Sequence, residues 1–428
     1  MARLWWAWPK WSPSPWGLSL AADPSSPECR PGWRSQLRLL ALRTYAACAR
    51  PFTPSSSLTR QPRKVLVLRP DHIGDGLFTT PALRALRRLL PQTEVTCLVG
   101  PWAADVYERN PNVDRVRRLA FPGFGPGGKR SPLEPYSLLR REAALLANDG
   151  YDLALNLRYD FWWGVVLAFV AGIPSRLGYA VPECAPFLTE PLAYSAGRHE
   201  VAQNLALVAA LTARGAAREE WLARELADAR LEYPVGEHER AVVAALCHEL
   251  GARAAPLVAI HPGTRGRAKL WTAEGWGAVA DSLAERHGAK VLVTGSAAEE
   301  PLCRAVASRT RSQTVVLAGR TTLGELVGLF ARCSLVLGVD SGPLHLAVAA
   351  GVPTVHLYGP SDHVAFAPFG DPNRQVMVRA DRECSPCHQL YRPPEGDGYP
   401  CMQEITPALV LAAAERALAG AGRPVTRS

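Results

Sequence analysis

From Lys64 to Tyr358 the chain alternates short apolar runs with longer stretches whose apolar residues recur every three or four positions. The first run, Lys64-Val65-Leu66-Val67-Leu68-Arg69-Pro70, predicts a buried strand leading into Asp71-His72-Ile73-Gly74-Asp75-Gly76. Thr79, Ala82, Leu83, Leu86, Leu89 and Leu90 then share one face, with Arg84, Arg87 and Arg88 opposite, which predicts a helix ended by Pro91. Further strands are expected at 94–99, 113–119 and 152–158, then at 256–260, 290–294, 314–318, 334–339 and 353–358. Helices are expected at 274–287, 299–308 and 323–331, and another in the small-residue run after Pro343. The apolar run 161–173 reads as a buried helix, because a membrane span needs about 20 residues. Strands alternating with helices predict an α/β fold with parallel sheets covered on both faces. Residues 215–255, rich in Ala, Arg and Glu, read as helix plus connector, with the domain boundary at about 235–255. The expected organisation is a leader at 1–62, one doubly wound domain at 63–240 and a second at 255–418. Such sheets bind ligands outside the carboxyl ends of their strands.

Charge sharpens the reading of the leader. Residues 1–64 carry ten Lys or Arg against Asp23 and Glu28, a net of +8, while the whole chain of 428 residues carries +9. The body is therefore close to neutral, which argues against nucleic acid as a partner. Residues 1–62 also hold six of the twelve tryptophans, and 33–50 could form a helix carrying Leu37, Leu40, Arg34, Arg38 and Arg43. Two readings stay open: a helix lying on an anionic membrane surface, or a disordered or mis-started leader. The N-terminus does not have a signal-peptide layout, so a cytoplasmic body is expected, with peripheral contact at the inner face of the membrane as the further option.

Four loops at expected strand ends could carry chemistry. Gly74-Asp75 puts a carboxylate after the opening strand, where it could take a proton from a hydroxyl nucleophile or simply cap a helix. His261-Pro262-Gly263-Thr264-Arg265-Gly266-Arg267-Ala268-Lys269 joins glycines, a hydroxyl and cations, which suits a diphosphate but also suits a solvated basic loop. Its spacing is not that of a P-loop. Thr294-Gly295-Ser296-Ala297-Ala298-Glu299-Glu300 places acids where a ribose diol could be held. Asp340-Ser341-Gly342-Pro343-Leu344-His345 is a turn into a helix, whose first N–H groups can hold an anion. The plainer reading there is a helix cap. Cys384, Cys387, His388 and Cys401 leave three alternatives open: a metal site, a disulfide or redox pair, or reduced structural thiols.

In order and spacing these segments resemble glycosyltransferase family 9, the ADP-heptose:lipopolysaccharide heptosyltransferases. The resemblance runs over about residues 64–415 and rests on several motifs. They are Arg69-Pro70-Asp71-His72-Ile73-Gly74-Asp75 with Thr79-Thr80-Pro81-Ala82-Leu83, Tyr151-Asp152-Leu153, Arg176-Leu177-Gly178-Tyr179, and His199-Glu200 with Asn204. To these are added His261-Pro262-Gly263 with Lys269 and Trp271, Gly319-Arg320-Thr321, Asp340 to His345, and the cysteine group. The resemblance implies a GT-B fold, two Rossmann-like domains facing across a cleft, with acceptor bound by the first and nucleotide sugar by the second. It implies inverting transfer without a metal or other cofactor, Asp75 as the base with Gly74 and His72 on the acceptor side, and Lys269 on the donor phosphate or sugar. His261, Gly263, Thr264, Glu299, Gly319, Arg320, Asp340, Ser341, Gly342, Pro343, Leu344 and His345 would then hold the donor, with Glu299 on the ribose. The partners implied are a nucleotide sugar, ADP-heptose in this family, and a lipid-linked glycan acceptor. Alternatives are another GT-B activity, such as transfer of a different sugar or nucleotide-sugar epimerisation, and a non-catalytic nucleotide-sugar-binding module.

Overall fold

The apolar runs form two parallel sheets. The computed structural model describes residues 33–56, 61–125, 133–212, 215–251, 255–391 and 399–421. In the first unit, β1 (Lys64–Arg69), β2 (Glu94–Val99), β3 (Arg115–Arg118), β4 (Leu153–Asn156), β5 (Ser175–Tyr179) and β6 (Glu190–Leu192) lie in the order β3-β2-β1-β4-β5-β6. In the second, β7 (Leu257–His261), β8 (Lys290–Val293), β9 (Thr314–Val316), β10 (Leu335–Val339), β11 (Thr354–Tyr358) and β12 (Gln375–Arg379) lie in the order β12-β11-β10-β7-β8-β9. Numbered from its own first strand, each sheet has the Rossmann order 3-2-1-4-5-6. The winding reverses between β1 and β4 in one sheet and between β7 and β10 in the other, so each sheet has its own crevice beyond the carboxyl ends of that pair of strands.

Helices fill the connections. The leader helix α1 (Trp33–Ala49) precedes α2 (Ile73–Leu89), α3 (Ala104–Glu108), α4 (Glu134–Asp149), α5 (Trp162–Val170), α6 (Glu200–Ala209) and α7 (Ala216–Ala227). The second unit carries α8 (Glu237–Glu249), α9 (Ala273–His287), α10 (Glu300–Ala307), α11 (Leu323–Phe330), α12 (Gly342–Ala349), α13 (Pro400–Gln403) and α14 (Pro407–Ala421). The central strands β1, β4, β7 and β10 are almost wholly buried, as expected of a sheet covered on both faces. The run around α5 is a buried helix, and no described helix is long and apolar enough to cross a membrane.

Three expectations need correction. The chain divides between Ala229 and Arg230, ahead of the expected boundary, so α8 belongs to the second unit. The reason is packing: Val243, Cys247 and Leu250 join Leu326, Leu329 and Phe330 in one core cluster. Strands β5, β6 and β12 come in addition to those read from the sequence; Ser175, Arg176 and Gly178 interrupt the apolar pattern of β5, and β6 and β12 are edge strands. The leader is also not wholly a tail. Residues 1–32 lie outside the described residues, but α1 docks on its own unit: Ala46 is buried beside Phe169 and Phe187, the Tyr45 ring meets both, and Arg38 reaches Glu183 at 3.4 Å.

Candidate active site

In the first unit α2 begins at Ile73, several residues before its apolar stripe, so Gly74 and Asp75 stand in its first turn, directly beyond β1. His72 is the N-cap residue, but its side chain makes no cap hydrogen bond; its ring lies 5.4 Å from that of Trp102. The Trp102 indole N–H donates to the Pro70 and Asp71 carbonyls at 3.1 and 2.8 Å, which fixes the loop. The Gly100 and Gly125 backbones leave no room for a Cβ beside that indole.

Behind Asp75 sits Arg69, fully buried at the end of β1. Its Nε stands 2.7 Å from the Asp71 carboxylate, and its Nη2 stands 3.0 Å from Glu200 and 3.6 Å from Asp75. Nη1 donates to the Leu157 carbonyl at 2.7 Å and to Asn204 Oδ1 at 3.3 Å. Asp71 is also held by Arg158, which pairs in turn with Asp160 at 2.7 Å. Two guanidiniums thus face four carboxylates. Buried charge is tolerated only when paired in this way, and removing one of the guanidiniums, which leaves carboxylates buried unpaired, costs about 3–5 kcal/mol. Burial and then the Asp71 carboxylate push Asp75 up to about 7, against the pull of Arg69 and Arg158. Burial raises Glu200 too, opposed by Arg69. Asp71 goes the other way, because Arg158 and Arg69 together outweigh its burial. Asp75 keeps about a quarter of its side chain, 26 %, open to solvent, whereas Arg69 and Asp71 are sealed. A carboxyl that titrates near neutrality and can be reached from outside has the properties of a general base.

In the second unit three of the four expected loops lie at the ends of β7, β8 and β10. His261 ends β7, buried, with its Nδ1 3.0 Å from Thr294 Oγ1; burial lowers its imidazole to about 4, against the pull of Glu299, so it is neutral at physiological pH. Glu299 accepts from the Ser296 N–H and Oγ–H, both at 2.8 Å, and lies over Gly263 so closely that a Cβ there would come within 2.1 Å of Oε1. Lys269, on a single 3₁₀ turn, donates to Asp340 Oδ2 at 3.1 Å. Thr264 Oγ1 donates to the Asp340 carbonyl at 3.4 Å, and His345 Nε2 is 3.6 Å from Asp340 Oδ1. Lys269, then His345, hold the Asp340 carboxyl well below its ordinary value despite its burial. Gly342 and Pro343 open α12; the Gly342 N–H has no acceptor within the helix, and the buried Ser341 hydroxyl has no hydrogen-bond partner. The N-cap residue Ser341 makes no side-chain cap hydrogen bond to α12, which leaves its first N–H groups open to an anion.

The remaining expected donor residues have other surroundings. Leu344 points into the core and its N–H bonds back to the Ser341 carbonyl at 3.1 Å. Gly319 takes a left-handed φ of 71° against Ala297, while Arg320 is exposed, 3.7 Å from Glu249. None of the described cysteines, Cys384, Cys387 and Cys401 among them, is in a disulfide, and no group of three or more metal-ligating side chains occurs among the described residues. Sequence reading quoted Arg69, Asp71, Glu200 and Asn204 without giving them roles and passed over Trp102. The available signal was an Arg and an Asp two positions apart at a strand end, where a lone charge would be costly.

Two doubly wound units of this strand order are the architecture of GT-B glycosyltransferases. The chain belongs to glycosyltransferase family 9 (heptosyltransferase), whose profile matches residues 139–394. It is 27 % identical over 337 residues to lipopolysaccharide heptosyltransferase 3 of Escherichia coli strain K12, covering 74 % of this chain and 89 % of the relative. To lipopolysaccharide heptosyltransferase 2 of the same strain it is 26 % identical over 376 residues, covering 81 % and 96 %. Among solved structures, E. coli ADP-heptose LPS heptosyltransferase II superposes with a TM-score of 0.64 at 23 % identity, over 84 % of this chain and all of that one.

Proposed function

We propose that the protein transfers heptose from ADP-heptose to a lipopolysaccharide core acceptor, with inversion at the anomeric carbon and without a metal. The observation that carries the proton chemistry is Asp75, an accessible carboxyl raised to about 7 at the end of β1. Asp75 takes the proton of an acceptor hydroxyl, which attacks the anomeric carbon from the face opposite the nucleotide. The acceptor oxygen–carbon bond forms as the bond to diphosphate breaks, through an oxocarbenium-like transition state. Lys269, the Gly342 N–H and the Ser341 hydroxyl receive the growing charge on the diphosphate, the task for which a cation would otherwise be needed. Lys269 then exchanges Asp340 for phosphate, and Glu299 addresses the ribose.

A lipid-linked acceptor brings the protein to the inner face of the cytoplasmic membrane. The outward side of α1 supports this contact: Trp33, Leu37 and Leu40 are 52, 50 and 61 % exposed at three- and four-residue spacing. Co-sedimentation with anionic vesicles should fall when Leu37 and Leu40 are both changed to Gln, and an unchanged distribution would remove α1 from that role. The donor is tested with a panel of nucleotide sugars. ADP-heptose at 100 times its dissociation constant should stabilise the fold by about 2.7 kcal/mol, and stabilisation by a different nucleotide sugar alone would reassign the donor.

A further inference from the structure

The His199-Glu200 and Asn204 motif is not used by the reaction as described, yet two of its side chains converge on the guanidinium behind the base. Glu200 and Asn204 are one helical turn apart on α6, so both face Arg69: Glu200 at 3.0 Å from Nη2, and Asn204 Oδ1 at 3.3 Å from Nη1. Asn204 also donates to the Phe78 carbonyl of α2 at 3.0 Å, tying α6 to the helix that carries Asp75. His199 caps α6 by accepting the Val201 N–H on its Nδ1 at 3.0 Å, and its ring sits edge-on to Phe78. These contacts serve the position of α6 against α2, or of Arg69 beneath Asp75.

Resting on the reading of Asp75 as the base, we propose that Glu200 is its positioning residue. It fixes Arg69 at a distance from Asp75 and balances the guanidinium charge, so that Asp75 can take up and release a proton instead of being locked as the ion-pair partner of a buried arginine. The electrostatic reason is a count of charges around one carboxyl. Arg69 on β1, Arg158 beyond β4 and, from its own loop, Asp71 and His72 face or adjoin it; Glu200 on α6 and Tyr107 on α3 face the same guanidinium, and Asp160 holds Arg158. Without Glu200 the positive charge of Arg69 acts on Asp75 with only Asp71 to offset it, and a carboxylate beside an unbalanced guanidinium is a weak base.

The test follows the carboxyl titrations directly, by ¹³C NMR of the full chain labelled at Asp and Glu carboxyls, with the Asp75 signal assigned by its loss in Asp75→Asn. Glu200→Gln should lower the Asp75 midpoint by about one pH unit, and Glu200→Asp, which keeps the charge, should restore most of it. Coupling is reciprocal, so Asp75→Asn should lower the Glu200 midpoint by a similar amount; this arm needs no change at Glu200 and stands if Glu200→Gln does not fold. An Asp75 midpoint unmoved in a folded Glu200→Gln protein, or a Glu200 midpoint unmoved in Asp75→Asn, would overturn the proposal. Turnover with ADP-heptose and O-deacylated lipopolysaccharide separates it from the reading beneath. If Glu200→Gln moves the Asp75 titration but not the acidic limb of turnover, Glu200 positions Asp75 as proposed, and Asp75 is not the base.

Discussion

Asp75 is under opposing demands, because the burial and neighbouring carboxylates that make it basic also make its charge costly. Replacing it by Asn should preserve donor binding and lower turnover by about 100-fold or more in a steady-state transfer assay. The same substitution should stabilise the fold. A carboxyl raised to about 7 binds a proton in the native state where the unfolded chain has already lost it, so wild-type stability falls as pH rises from the ordinary value of 3.8 to about 7. The advantage of Asp75→Asn in thermal melts should therefore grow across that window and level off above it. Asp340 has the reverse sign. Its carboxyl is held low by Lys269, so the pair contributes stability above the ordinary carboxyl value that is lost as pH falls through the depressed one. Lys269→Ala should weaken donor binding by about 10- to 100-fold by titration calorimetry, and should destabilise the fold most at neutral pH.

At the scale of elements, the strands that build the reaction centre were the most legible. β1, β7 and β10 are built on continuous apolar runs because both faces of a central parallel strand are covered, whereas edge strands β6 and β12 carry no such run. The four loops could be found for the same reason, since each follows a strand end. The clamp on Arg69 could not, because its members come from β1, the loop after β4 and α6, positions that only the fold brings together. Motifs quoted as family marks also divide by role. Asp152 accepts the Arg63 and Lys64 N–H groups at 2.7 and 3.0 Å, and Arg176 donates to the Phe187 carbonyl at 2.6 Å, so these residues hold the sheet rather than the reactants. Close packing of β10 on β7 gives a further prediction. A Cβ at Gly338 would come within 2.4 Å of the His261 carbonyl oxygen and of Leu344 Cδ2, so Gly338→Ala should cost about 1–3 kcal/mol in denaturant titrations. A wild-type midpoint would mean that β10 can move off β7.

Over the whole molecule, charge and function separate by region. The leader holds most of the net positive charge, and its helix α1 is fastened to the first unit through Ala46, Tyr45 and Arg38, with Trp33, Leu37 and Leu40 exposed on its other side. In the proposed reaction the two units divide the chemistry, proton removal in one and leaving-group stabilisation in the other, each at the winding reversal of its own sheet. The most direct measurement is mass spectrometry of O-deacylated lipopolysaccharide core incubated with ADP-heptose and either wild-type protein or Asp75→Asn. Wild type should yield one added heptose and released ADP, and Asp75→Asn almost none while still binding donor. Equal transfer by the two proteins, or no transfer by wild type to any core acceptor while ADP-heptose is bound, would contradict the proposed reaction.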